Sequence, residues 1–223
     1  MPYIGTQPND VKKNTGLYTP SEILQLKKDG NWGGSLELIE EINISSTGAI
    51  DITNIKENVY DVHLLTFDDF VTTAVGDALS IRLSNDSGST FEASNYRYAL
   101  QYGQGNGSFG EIKTTSGTGL KDITGNIQGT NARANGYVYL YNLGDSSKYS
   151  FISFQSSTTV VSTLILQMRF GGGVYTVAET INALRIDGDS FTGTPTGGNI
   201  KLYGVKQLWI HILVVQLCHK QVW

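Results

Sequence analysis

From Leu36 onward the chain alternates apolar and polar residues with a period of two, a pattern that builds half-buried extended strands and does not build an amphipathic helix. Leu36, Leu38, Glu40, Ile42 and Ile44 alternate with Glu37, Ile39, Glu41 and Asn43. Leu79, Ile81 and Leu83 alternate in the same way with Ser80, Arg82 and Ser84. Tyr96, Tyr98, Leu100 and Tyr102 share one face of a further strand, and Tyr137, Tyr139 and Tyr141 oppose Val138 and Leu140 on another. More strands are predicted over 59–66, 149–155, 163–170, 181–186 and 200–206. Glycine-rich clusters at 85–88, 103–107, 171–173 and 196–199 are expected to be the turns between strands.

Eight or more strands in this rhythm predict two antiparallel sheets packed face to face, an all-β, jelly-roll-like sandwich spanning residues 36–206. Composition agrees, because 26 glycines, 10% aromatic residues and only 16% charged residues suit turns and Tyr-rich strands better than helices. No repeat of fixed period points to a solenoid or propeller.

Residues 1–35 read as an N-terminal docking arm. The first 16 residues have no hydrophobic period, and Thr19-Pro20-Ser21-Glu22 then supplies a cap, a proline at the first helical position and a Glu able to reach back. One short helix is predicted over residues 20–28, with Ile23, Leu24 and Leu26 apolar and Lys27 and Lys28 wet. Such a helix needs packing support, either from its own domain or from a larger assembly. Residues 207–223 differ from everything before them: they hold the sole Cys, two of the three His and two of the three Trp, around an apolar run from Ile210 to Val215. They read as an appended strand, an inter-subunit element or an extension foreign to the module.

Several functions are disfavoured. A net charge of -4 leaves no general field for phosphates, so nucleic acid is not an expected partner. The lone Cys218 provides neither a disulfide nor a zinc site, and no cofactor is expected. The N-terminus lacks a secretory leader, and the apolar stretch 208–217 is about half of the roughly 20 residues a spanning helix needs, so no membrane span is expected. His63 sits in Val62-His63-Leu64-Leu65, where a strand face accounts for it, and no Gly-x-Ser-x-Gly elbow accompanies it. Asp68 and Asp69, like Glu40 and Glu41, are adjacent and therefore expected on opposite strand faces, while Asp187-Gly188-Asp189 reads as a turn. Asn85-Asp86-Ser87-Gly88-Ser89 has oxygen ligands but not the spacing of a calcium loop, and the Gly-x-Gly-x-Gly within 103–110 precedes no helix that could cradle phosphate.

Tyrosine is the more telling residue. Tyr96, Tyr98, Tyr102, Tyr137, Tyr139 and Tyr141 are candidates for glycan or subunit contact, since each ring joins an apolar body to a polar tip.

Beyond pattern, Met1-Pro2-Tyr3-Ile4-Gly5-Thr6-Gln7-Pro8 resembles the opening of tail-fibre and other appendage proteins of tailed bacteriophages, particularly those of marine hosts. Arg82-Leu83-Ser84-Asn85-Asp86-Ser87-Gly88-Ser89-Thr90-Phe91, Gly136-Tyr137-Val138-Tyr139-Leu140-Tyr141-Asn142 and Lys201-Leu202-Tyr203-Gly204-Val205-Lys206 resemble a phage virion β-sandwich module that the last phrase normally closes. The resemblance implies a structural virion component without enzymatic activity, oligomeric and frequently trimeric, that contacts other virion proteins and presents the sandwich to host surface polysaccharide. Tyr3, Ile4, Ile23, Leu24 and Leu26 then become candidates for docking onto the particle. A capsid decoration protein stabilising the head is the alternative.

Overall fold

The computed structural model describes residues 19–28, 35–45, 48–73, 77–127, 132–160, 165–188 and 194–206. The chain divides into two compact units, Met1–Ser35 and Leu36–Trp223. In the first, α1 (Pro20–Lys28) begins with the capping box expected of its sequence. The Thr19 N–H donates to Glu22 Oε2 at 2.7 Å, and the Glu22 N–H returns a bond to Thr19 Oγ1 at 3.3 Å. Leu24 is exposed and Ile23 half-buried, whereas Tyr3, Ile4 and the side chain of Leu26 lie outside the described residues.

The second unit is all β. In chain order its strands are β1 (Leu36–Ile44), β2 (Ile50–Ile52), β3 (Val62–Thr72), β4 (Leu79–Ser84), β5 (Tyr96–Gln104) and β6 (Phe109–Gly117). β7 (Ala134–Tyr141), β8 (Ser150–Val160), β9 (Ile165–Tyr175), β10 (Ala183–Gly188) and β11 (Pro195–Val205) follow. Every pairing between them is antiparallel. The strands form an eight-stranded sheet in the order β1-β11-β3-β7-β8-β9-β5-β6 and a three-stranded sheet in the order β2-β10-β4. The fold is thus an antiparallel sandwich with unequal layers. Its core is filled by Leu65, Phe67, Val138, Leu140, Ile200 and Leu202 from the large sheet and Ile52, Ile81, Leu83, Leu184 and Ile186 from the small one.

Two predicted turns are instead strand. Gly171, Gly172 and Gly173 run through the middle of β9, where neighbouring strands approach too closely for side chains: a Cβ at Gly171 would sit 2.6 Å from the Ala99 carbonyl, and one at Gly172 2.8 Å from that of Ile152. Gly197 and Gly198 lie inside β11, where the register to β3 slips twice and Gly198 takes a φ of +116°. Here glycine marks bulges and not a reversal. Asp187 and Gly188 end β10 against Ser80 and Leu79, so they too belong to a strand. β2 and β6 have no counterpart among the predicted strands.

Adjacent carboxylates also depart from simple alternation. Asp69 has a φ of +56° at a slip between β3 and β7, and both Asp68 and Asp69 are exposed.

His63 is fully buried on β3, and its Nε2 lies 2.8 Å from the Ile55 carbonyl. A carbonyl only accepts, so Nε2 carries the proton, and Nδ1 has no hydrogen-bond partner. Burial pushes the imidazole pKa below its usual 6.5, outweighing the Ile55 carbonyl and the nearby Glu57 and Asp61 carboxylates, all of which pull upward. Above pH 6.5 the ring is neutral in folded and unfolded chains alike. Below it the unfolded chain takes up a proton that the folded chain resists, so stability falls as the pH drops through the depressed folded value. The melting temperature measured from pH 7.5 to pH 5 should therefore decline, and His63→Gln should flatten the decline. Parallel curves for the two proteins would contradict this.

Candidate functional site

The large sheet has two faces, and only one meets the small sheet. On β7, Ala134, Gly136, Val138 and Leu140 point inward, and Tyr137, Tyr139 and Tyr141 point out. Register carries this outer face across the sheet: Tyr139 stands beside Leu64 of β3 and Ser153 of β8, and Ser153 beside Gly172 of β9, which pairs with Ala99 of β5.

The outer face is strongly apolar. Among the described residues, eight of the eleven exposed large apolar side chains lie on it: Leu36 and Leu38 on β1, Tyr137 on β7, Phe151 on β8, Leu166, Met168 and Phe170 on β9, and Phe109 on β6. β9 is the clearest case. Its polar residues Gln167 and Arg169 are buried and Leu166, Met168 and Phe170 between and beside them are exposed, the reverse of what hydrophobic burial alone would choose.

A polar cluster makes that inversion possible. Arg169 Nη1 donates to the Asp122 carboxylate at 2.7 Å and to the Asp122 carbonyl at 2.9 Å, while Nε reaches Gln167 Oε1 at 3.1 Å. The guanidinium also lies 5.7 Å from the centre of the Tyr102 ring. Deep burial of this charge is tolerable because its Nε and Nη1 donors are met and a carboxylate lies beside it.

The tyrosines on the outer face form a ladder. Tyr137 and Tyr139 meet edge to face at 5.8 Å, and Tyr139 and Tyr141 stack at 6.2 Å. Their polar tips are tied down within the face: the Tyr137 hydroxyl donates to Gln155 Oε1 at 3.0 Å, and the Tyr141 hydroxyl lies 3.2 Å from Ser153 Oγ.

The other candidate tyrosines are elsewhere. Tyr96, Tyr98 and Tyr102 do share a face of β5, but it is the inward one. Tyr96 is fully buried, accepts the Leu83 N–H at 2.9 Å and packs 5.1 Å from Tyr175, so it cannot touch a glycan or a subunit. Tyr98 and Tyr102 are half-buried against the core. Phe109, Phe151, Leu166, Met168 and Phe170 were not foreseen as site residues, although the parity of Leu166, Met168 and Phe170 was visible. What the sequence lacked was a sign of which parity faced out.

Several hollows mark the surface among the described residues. One of about 720 Å³ lies over Gly103 between Phe109 and Phe170, with Gln101 and Glu111 beside it. Another of about 910 Å³ has Ala99 and Gly172 at its floor and Phe151, Arg97 and Lys113 around it. A third, about 540 Å³, is polar and sits among the loops at one end of the sandwich, lined by Glu57, Asn58, Asp61, Asn142, Asp145 and Lys148. The Lys148 ammonium, with the Ser147 hydroxyl and N–H, holds the Asp145 carboxyl well below the usual carboxylate range. Tyr149, 47% exposed, adjoins this hollow through the bond from Asn142 Nδ2 to its carbonyl at 3.3 Å.

The oxygen-rich loop after β4 is a turn whose carboxylate is satisfied from within, while Asn85 and Ser87 tie it to Glu179 and Asn182. Asp86 accepts the Thr90 N–H at 2.9 Å, the Thr90 hydroxyl at 2.7 Å and the Ser84 hydroxyl at 2.7 Å, donors that hold its pKa down to about 2. No group of three or more His, Cys, Asp or Glu gathers at metal-binding range among the described residues, and no helix among them is long and apolar enough to cross a membrane. These features define an all-β sandwich with one broad apolar contact face. Comparison with protein-family models, curated proteins and solved structures found no match.

Proposed function

We propose that this chain is a non-enzymatic structural module of a tailed-bacteriophage virion, a homo-oligomeric tail- or head-fibre appendage that displays its sandwich for attachment to host surface glycan. The observation that carries this reading is the outer face of the large sheet, a surface suited to contact and not to bond chemistry. The phrases that resemble phage modules support it, since they form β7, the end of β4 with its turn, and β11.

The polar hollow beside Tyr149 is the surface best suited to sugar. Amide and carboxylate groups of Asn58, Asp61 and Asn142 can meet hydroxyls, and the exposed Tyr149, tied to Asn142 through its backbone carbonyl, is the aromatic side chain at hand to stack on a sugar that extends past the hollow. Binding of the full chain to polysaccharide from a susceptible host should be measurable by calorimetry, and Tyr149→Ala should weaken it roughly 10-fold, about one lost stacking contact. An unaltered affinity would remove Tyr149 from the site. Failure to bind any host polysaccharide or host cell, with particles lacking the chain losing heat resistance but still adsorbing, would make it a capsid decoration protein instead.

A further inference from the structure

We propose that the outer face of the eight-stranded sheet is the surface through which copies of this chain pack against one another. This assignment rests on the oligomeric reading above and says which surface carries it. Tyr137 and Phe170 flank Gln155 on neighbouring strands and Met168 follows Phe170 along β9, while Phe151 stands two rows further along beside Tyr141 and Val174; the exposures of these four side chains are 39%, 52%, 42% and 47%. Large apolar side chains gathered on one face this way are costly in water and gain by being covered.

Size points to a second copy as the cover. Seven strand spacings of about 4.8 Å and three two-residue steps of about 3.4 Å per residue make a face roughly 34 Å by 20 Å, on the order of 700 Å². That is close to the roughly 800 Å² each partner buries in a stable protein interface. One added peptide strand would cover only a fraction of it.

Charge and hydrogen bonding agree. β7, β8 and β9 place no charged side chain on this face, and the flanking charges are the neutral pairs Glu41 with Lys201 and Glu111 with Lys113, together with Arg97 of β5 beside Val174. An aromatic, charge-free centre with a polar margin is the anatomy of a protein interface. Two chains of net charge -4 repel each other, and a centre without charge lets them approach despite that. A sugar would need open hydrogen-bonding groups there, but the Tyr137 and Tyr141 hydroxyls are already engaged by Gln155 and Ser153. The inverted strand β9 completes the case, because its inward Gln167 and Arg169 are satisfied and its outward Leu166, Met168 and Phe170 gain burial only if something packs on them.

The test is the mass of the full chain in solution by sedimentation velocity over a range of micromolar concentrations. Wild type should run as a defined dimer or trimer. Phe151→Asp with Phe170→Asp should weaken association by roughly 100-fold or more, since two carboxylates would be buried unpaired in the interface. Both positions are about half exposed, so the variant should keep the wild-type circular dichroism; if it does not, the milder Met168→Lys replaces it. Val59→Asp, at an apolar residue 66% exposed away from this face, should leave the mass unchanged. A monomeric wild type overturns both this assignment and the oligomeric reading. An oligomer that survives the double substitution, or that Val59→Asp dissociates equally, overturns the assignment alone.

Discussion

Phe67→Ala is expected to destabilise the sandwich by about 3–5 kcal/mol, the range for emptying a fully buried aromatic site. Phe67 is 0% exposed on β3, paired with Gly136 of β7 and edge-on to Phe70 at 6.3 Å. An added Cβ at Gly136 would clash first with the Gln155 carbonyl oxygen, and would stand 2.7 Å from Phe67 Cζ and 2.9 Å from the Ser156 Cα. Gly136→Ala alone should therefore also destabilise, by about 1–3 kcal/mol, the usual range for overpacking. In the double variant the ring's share of the clash is relieved while the Gln155 carbonyl and Ser156 Cα remain, so the combined loss should fall modestly below the sum of the two. Urea unfolding of the four proteins measures the coupling. Strict additivity would mean that ring and glycine do not share that space.

Asp122→Ala should cost about 3 kcal/mol, the low end for breaking a buried ion pair by removing one partner. The low end applies because the Asp122 side chain is 21% exposed and Arg169 keeps its bonds to Gln167 and to the Asp122 carbonyl. Arg169→Met, which removes the more deeply buried charge, should cost less, because the Asp122 carboxylate it leaves behind is partly exposed and can be hydrated. Asp122 also has a φ of +60°, which Asn tolerates better than Ala, so Asp122→Asn separates backbone strain from lost charge. Thermal unfolding of the three variants decides the matter. Equal losses for Asp122→Ala and Arg169→Met would show that packing, and not the stranded charge, dominates this cluster.

Legibility in the sequence varied with how local the cause was. The helix start was readable because Thr19 and Glu22 bond to each other across three residues. Strands with clean alternation, such as β4 and β7, were readable for the same reason. Gly171 to Gly173 were misread as a turn because their cause is distant: the backbones of Ala99 and Ile152 occupy the space where side chains would be. Tyr96 illustrates a related limit. Its parity with Tyr98 and Tyr102 was plain, but whether that parity met the core depended on sheets assembled from residues far away in sequence. β9 went furthest against expectation, since greasy residues outside and polar ones inside make sense only once Asp122 arrives beneath Arg169.

The position of β11 has a consequence for how this chain is made. It is the last described strand, yet it lies between β1 and β3, two of the first. Until roughly the two-hundredth residue has left the ribosome, β1 has no neighbour and one side of β3 stays open. Closure of that half must wait until β11 has been made, and contacts so far apart along the chain make it slow. Nascent chains are therefore most vulnerable to sticking together at that stage.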